Sequence, residues 1–244
     1  MKAGIIAAGE GRRFREQGWS MLKPLVPIHG TPLIEIAFRA MESAGIEEIF
    51  CLFRTQGQPI VDHLKKCPFK LRWSYQLKDT ASSYETFYHV VRGLGSGPYL
   101  ISTVDLVYDS AELKAFLARA SHFPKGSLVL GVTSFVHDEK PLWVALGPDQ
   151  KVLKLGDQAV PTPWVTAGLY FGSEKAFAPL VDGGPHRFSA LREGLSMLVT
   201  QGVPTYTVSL STVIDIDTPE DVEIAKKIFA PHPNPLPKGE REQG

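Results

Sequence analysis

Cysteine is nearly missing from this sequence: Cys51 and Cys67 are the only two in 244 residues. Neither has a partner at metal-ligand spacing, so both read as packing thiols in a reducing compartment rather than as a disulfide or a metal site. Excess charge of either sign is missing too, with 26 Lys plus Arg against 26 Asp plus Glu. A protein that coats nucleic acid carries a basic surplus, so no nucleic-acid partner is expected, while one small anion remains compatible. No apolar run approaches the roughly 18 residues of a membrane span, so no membrane partner is expected either. The N-terminal apolar run is broken by Gly9-Glu10-Gly11 before any cleavage-like site, unlike a signal peptide, and the expected location is cytoplasmic. The seven histidines are scattered without an H-x-x-x-H pair, and no serine stands in a nucleophile elbow, so covalent catalysis is not expected.

What is present begins at the first turn. Gly4-Ile5-Ile6-Ala7-Ala8 reads as a buried strand that empties into Gly9-Glu10-Gly11-Arg12-Arg13-Phe14, with Lys23-Pro24-Leu25 about ten residues on. Glycines let backbone N–H groups approach a phosphate closely, and the cations neutralise it. Two other phosphate loops are excluded. A dinucleotide fingerprint needs glycine where Phe14 stands, and its loop enters a helix at once, whereas a long segment from Arg12 to Gly30 is expected to intervene here. A Walker loop ends in Gly-Lys-Ser/Thr, which is absent.

The rest alternates. Strands are predicted at 2–7, 48–54, 71–76 and 99–104, and helices at 32–44, 57–66, 81–94 and 110–120. In the first long helix Leu33, Ile36, Ala37, Ala40 and Met41 share a face, with Thr31 as N-cap and Gly45 as stop. This implies an α/β fold: one doubly wound, mostly parallel, Rossmann-like sheet. Four further strand-like segments (128–134, 142–146, 151–155, 165–171) have little helix between them and read as an inserted antiparallel region covering the nucleotide-binding half. Helices at 174–180 and 188–201, a strand at 205–208 and a helix at 219–229 complete one domain, 1–230. The tail 231–244, with four prolines and two glycines, is expected to be disordered and outside the fold.

Ligands of such sheets sit beyond the carboxyl ends of the strands. Asp105 falls there, and so does the Asp215-Ile216-Asp217-Thr218-Pro219-Glu220-Asp221 string before the last helix. Two carboxylates converging on a triphosphate describe a Mg²⁺ site, because that ion favours one or two carboxylates plus phosphate oxygens. Asp105 and Asp217 are the favoured ligands, with Asp215 as the alternative to Asp217. Asp109 and Asp217 also read as helix N-caps needing no ligand.

The first-turn pattern resembles the signature of the nucleotidyltransferase superfamily, roughly A-A-G-x-G-[ST]-R followed by [P]-K-P-L. Gly9, Gly11, Arg13, Lys23, Pro24 and Leu25 match it; Arg12 stands in place of Thr or Ser, and Met21-Leu22 replaces the commoner proline. The resemblance covers nearly all of 1–229, includes MobA-like and sugar-phosphate members, and implies that the inserted region binds the acceptor. It implies transfer of an NMP group from an NTP to a small phosphorylated acceptor, sugar 1-phosphate favoured, with release of pyrophosphate. Alternatives are an alcohol phosphate or a pterin phosphate as acceptor. By the same resemblance Ala8, Gly9, Gly11, Arg12, Gln76, Thr80 and Ser82 hold the nucleotide, and Lys23 and Arg13 carry the catalysis. Lys140 of Glu139-Lys140-Pro141, Lys154 and Thr166 of Thr166-Ala167-Gly168-Leu169-Tyr170 are the acceptor candidates. Ser82 and its neighbours equally suit a self-capped helix start. Two rivals stand. A nucleotide-sugar glycosyltransferase should carry D-x-D at the strand end, which Asp105-Leu106-Val107 lacks. The other is a module that binds nucleotide without turnover.

Overall fold

In the structure, a computed structural model, residues 1–135 and 140–230 are described. Seven strands form the central sheet: β1 (Lys2–Ala7), β2 (Glu48–Phe53), β3 (Arg72–Leu77), β4 (Pro98–Thr103), β5 (Leu128–Thr133), β6 (Val165–Ser173) and β7 (Thr205–Ser209). Their order is β7-β5-β6-β4-β1-β2-β3. Only β6 runs against its two neighbours; every other pairing in the sheet is parallel. Strands buried on both faces have no polar side to alternate, which is why β1 and β5 read as continuous apolar runs.

Among the described residues eight helices surround the sheet: α1 (Arg12–Glu16), α2 (Leu33–Ser43), α3 (Gln58–Lys66), α4 (Ser83–Leu94), α5 (Ser110–Ala120), α6 (Glu174–Val181), α7 (Leu191–Thr200) and α8 (Pro219–Ile228). One core cluster holds residues of α2, α3 and α5, and another those of α4, α6 and α7. A third joins Phe14 and Leu33 to Ile214, Ile216 and Val222, tying the first turn to the last helix. Among the described residues no helix is long and apolar enough to cross a membrane.

The structure differs from the sequence expectation in three places. A helix does follow the glycine loop at once: α1 starts directly after Gly11, which takes the left-handed conformation at φ 59°. Five residues are too few to show helical periodicity, and buried Phe14, 5.4 Å from the Trp19 ring, anchors the turn. Thr31 does not cap α2; it pairs with Ile28 in a short hairpin, and Pro32 takes the cap position without a side-chain bond. Gly45 does end α2, since Gly45 N–H donates to Glu42 O and Ile46 N–H to Met41 O in a Schellman arrangement. The four late strand segments divide. Two of them, β5 and β6, enter the central sheet, leaving only Val144–Leu146 and Val152–Leu155 as a separate antiparallel ribbon against α7. Strand character is visible in a sequence; strand partners are not.

Gly4 shows how tightly α4 lies on β1. A Cβ there would stand 2.3 Å from Val90 Cγ1 and 2.9 Å from Ile101 Cδ1. Gly4→Val should destabilise the fold by about 1–3 kcal/mol through overpacking, read as a lower urea midpoint at unchanged slope.

Beneath the sheet lies a buried ionic cluster the sequence reading missed. Glu35, fully buried, accepts hydrogen bonds from Arg39 at 2.8 Å and pairs with His63 Nε2 at 2.9 Å. Burial works against the carboxylate, but His63 and Arg39 outweigh it and hold Glu35 below the ordinary glutamate range. A carboxylate held below its unfolded value adds stability above that value and loses it as pH falls through the folded one. The stability gap between the protein and Glu35→Gln should therefore be widest near neutrality and narrow on acidification below pH ~4.5. Urea titrations from pH 7 to 3 check this, and a gap constant with pH would contradict it. The nearby Cys67 thiol is pushed up to about 12, chiefly by burial and then by Glu35, which makes it a poor nucleophile at neutral pH.

Candidate active site

β1 delivers Ala8-Gly9-Glu10-Gly11 to the carboxyl edge of the sheet, and α1 then presents Arg12 and Arg13. Gly11 is favoured by its positive φ of 59°, a conformation that side chains rarely adopt. The 3-10 turn Lys23–Leu25, with Pro24 fixing its first positions, sets Lys23 beside the loop. Asp105 follows β4. It meets the distant acids through a two-residue antiparallel ladder, Leu106–Val107 with Ile214–Asp215, and through the Ile216 N–H donating to Asp105 O at 2.9 Å.

Asp217 is not the cap of α8. Thr218 fills that role in a capping box with Asp221, whose carboxylate also accepts from Asp217 N–H at 3.0 Å. Asp217 is thereby turned toward Lys23 and Arg13. Asp109, by contrast, caps α5, accepting from Ala111 N–H at 2.8 Å.

One lysine knits the site together. Lys23 Nζ donates to Asp105 Oδ2 and to Asp217 Oδ1, each at 2.6 Å, and Arg13 Nη1 donates to Asp217 Oδ2 at 2.6 Å. Lys23 is only 9% exposed. Burial opposes its charge, but Asp105, Asp215 and Asp217 outweigh that and raise its pKa above the ordinary lysine value. Burial likewise opposes ionisation of Asp105, and Lys23 reverses the balance, so the Asp105 carboxyl lies below its usual range. Both groups stay charged at neutral pH.

Asp105, Asp215 and Asp217 each offer an oxygen within 4.8 Å of the others. Asp105 Oδ1 is buried without a hydrogen-bond partner. The three carboxylates offer only hard oxygen donors. That donor set fits a divalent cation of the Mg²⁺ type.

Two of the acids, Asp105 and Asp217, line a cleft of about 530 Å³. Ala8, Gly9, Gly11, Arg12, Arg13, Lys23, Thr80, Ser82, Asp105 and Asp217 all line it. Ser82 Oγ accepts from Glu85 N–H as the N-cap of α4, and Thr80 Oγ1 bonds Thr86 Oγ1 at 2.6 Å, so both side chains are engaged within the protein. Gln76 is exposed on the edge strand β3, outside the cleft lining. On the far side of the acids, Thr166 and Asp215 line a smaller hollow of about 50 Å³ with Leu106, Thr133 and Phe135. Lys154 is exposed on the separate ribbon and lines neither space. Lys140 is exposed as well, its carbonyl accepting from Arg192 Nη2 at 2.9 Å. Glu139 of the Glu-Lys-Pro string lies outside the described residues.

Arg54 was not singled out by its sequence. It sits just beyond β2 and pairs with Glu10 of the first loop and with Asp79, each at 3.2 Å. An arginine at the end of a predicted strand carries no signal of such a role.

A 208-residue stretch is 22% identical to the bifunctional protein GlmU of Methanococcus maripaludis, covering 83% of this chain and 48% of that one. A 150-residue stretch is 29% identical to UTP–glucose-1-phosphate uridylyltransferase 2 of Streptococcus pyogenes, covering 61% of this chain and 42% of that one. The chain thus spans about half the length of the curated relatives it matches. The fold is shared with the inositol-1-phosphate CTP transferase of T. maritima at TM-score 0.76 and 17% identity, over 94% of this chain and 98% of that one. It is shared too with a protein assigned as a glucose-1-phosphate thymidylyltransferase of Bacillus anthracis, solved with sucrose, at TM-score 0.79 and 16% identity, over 95% and 98% of the two chains. Residues 3–153, well over half of the chain, match the MobA-like NTP transferase domain, and the protein belongs to that family.

Proposed function

We propose that this protein transfers an NMP group from an NTP to a small phosphorylated acceptor, sugar 1-phosphate favoured, and releases pyrophosphate. The observation that carries the reading is the Lys23 ammonium 2.6 Å from both Asp105 and Asp217 at the edge of a cleft lined by the glycine loop. Residues 1–230 form the catalytic domain in this reading, and the two free, buried thiols suit a cytoplasmic setting.

The acceptor phosphate is already ionised near neutral pH, so it needs positioning rather than a protein base. The difficulty is charge, since an anion attacks the α-phosphorus of a polyanion. Backbone N–H groups at Gly9 and Gly11, with Arg13, hold the β- and γ-phosphates. Lys23 neutralises the α-phosphoryl group as charge develops on it. Asp105 and Asp217, with Asp215 beside them, would hold Mg²⁺, which when bound supplies a Lewis acid and a template for the phosphates. Thr166, in the small hollow beyond the acids, is the acceptor-side contact in this arrangement.

Screening the four NTPs and dTTP against phosphorylated sugars, alcohols and pterins, with pyrophosphate as the readout, tests the proposal. Pyrophosphate appearing only when one NTP and one acceptor are both present is the expected result. Nucleotide binding with no pyrophosphate from any pair would point to a non-catalytic module, and consumption of a nucleotide sugar without pyrophosphate to a glycosyltransferase.

A further inference from the structure

The two cations that should meet phosphate and the acids that should meet metal are bound to each other. Asp217 has both oxygens engaged, Oδ1 by Lys23 and Oδ2 by Arg13, and Asp105 Oδ2 is engaged by the same Lys23 ammonium. Lys23 Nζ therefore sits between two of the three carboxylates that form the cation site. A divalent cation arriving alone has to compete with an ammonium tethered in place and 9% exposed. A triphosphate arriving alone has to draw Lys23 and Arg13 away from carboxylates, leaving those carboxylates uncompensated beside a polyanion, at a cost of the kind that unpaired buried charges incur. When the two arrive together, both costs vanish. The phosphates take the cations, and the metal takes the acids.

We infer that Lys23 and Arg13 act as resident counter-cations that keep the acid triad closed to free metal, so that metal and polyphosphate bind this protein together through an exchange of ion pairs. The inference rests on the nucleotidyl-transfer reading above and deepens it: it adds a gate to the same site. The coupling is reciprocal, so each ligand raises the affinity of the other by one common factor. It also gives Lys23 two positions, one against Asp105 and Asp217 in the free protein and one against phosphate in the loaded protein.

Binding measurements on the free protein test this without turnover. Lys23→Met removes the resident cation and should bind Mn²⁺, followed by EPR with no nucleotide present, about 10-fold more tightly than the unsubstituted protein, an ordinary size for coupling between sites. In EDTA, Asp217→Asn should bind inorganic tripolyphosphate more tightly by a similar factor, because Lys23 and Arg13 lose the acid they share. A lysine that only touches substrate predicts equal Mn²⁺ affinity, and equal or weaker binding by Lys23→Met overturns the inference while leaving nucleotidyl transfer intact. Circular dichroism checks that the variants are folded. If Lys23→Met is not, the Asp217→Asn titration decides, and an unchanged tripolyphosphate affinity overturns the inference. If the unsubstituted protein binds neither Mn²⁺ nor tripolyphosphate, even together, the functional reading and the inference both fall.

Discussion

Lys23→Ala should lower turnover by about 10²-fold or more, the scale of removing one preorganised electrostatic contact from a transition state. Alanine deletes the ammonium that bridges Asp105 and Asp217 and leaves those carboxylates facing the incoming polyanion with Arg13 still paired to Asp217. The loss falls mainly on kcat, since the charge Lys23 offsets grows as the α-phosphoryl group is transferred. Lys23→Arg does not restore it. A planar guanidinium cannot place a compact point charge between two carboxylates each 2.6 Å away in a site with 9% exposure. Steady-state pyrophosphate release by the three proteins checks this, and near-normal turnover in Lys23→Ala would remove the catalytic role.

The second large effect is a failure of additivity. Asp105→Asn should also cost about 10²-fold in kcat/KM, because it neutralises a carboxylate of the cation site and disrupts the placement of Lys23. If the two residues worked independently, the double variant would lose the product, about 10⁴-fold. It should instead lose little more than the worse single variant, since either substitution breaks the same ion-paired unit. Measuring kcat/KM for the four proteins at saturating Mg²⁺ closes the cycle. Full multiplication of the two losses would mean that Lys23 and Asp105 act on separate steps.

The part of the cleft lined by the first loop was legible because it is local. Gly9, Gly11, Arg13 and Lys23 lie within one loop and its neighbouring turns, where residue type and spacing already express the demand for close backbone approach and positive charge. Asp105 was legible as a strand-end acid, and Asp217 as part of an acidic string before a proline. Their meeting was not, because it depends on a two-residue ladder, Leu106–Val107 with Ile214–Asp215, too short to leave a periodic pattern. The same shortness hid α1. The identity of the α8 cap turned on Thr218 against Asp217, adjacent residues that both suit the role until the capping box with Asp221 is seen. Glu35 and His63 come from separate helices, so nothing in either segment announces the pair. On the acceptor side, the Glu139-Lys140-Pro141 string suggested Lys140 and the order of segments along the chain suggested Lys154; the ribbon carrying Lys154 packs on α7, and Lys154 lines neither space. Gln76 was read as the end of a strand that hands its side chain to the nucleotide, whereas β3 runs on through Leu77 and leaves Gln76 exposed on the sheet edge.

The central claim is that Lys23, Asp105 and Asp217 converge on one metal-bound triphosphate. Anomalous diffraction from crystals grown with Mn²⁺ and a non-hydrolysable NTP tests it most directly. The account predicts a single manganese peak coordinated by oxygens of Asp105 and Asp217, with Lys23 Nζ moved off both carboxylates and onto a phosphate oxygen. A metal bound elsewhere, or a Lys23 still bridging Asp105 and Asp217 beside a bound triphosphate, would contradict it.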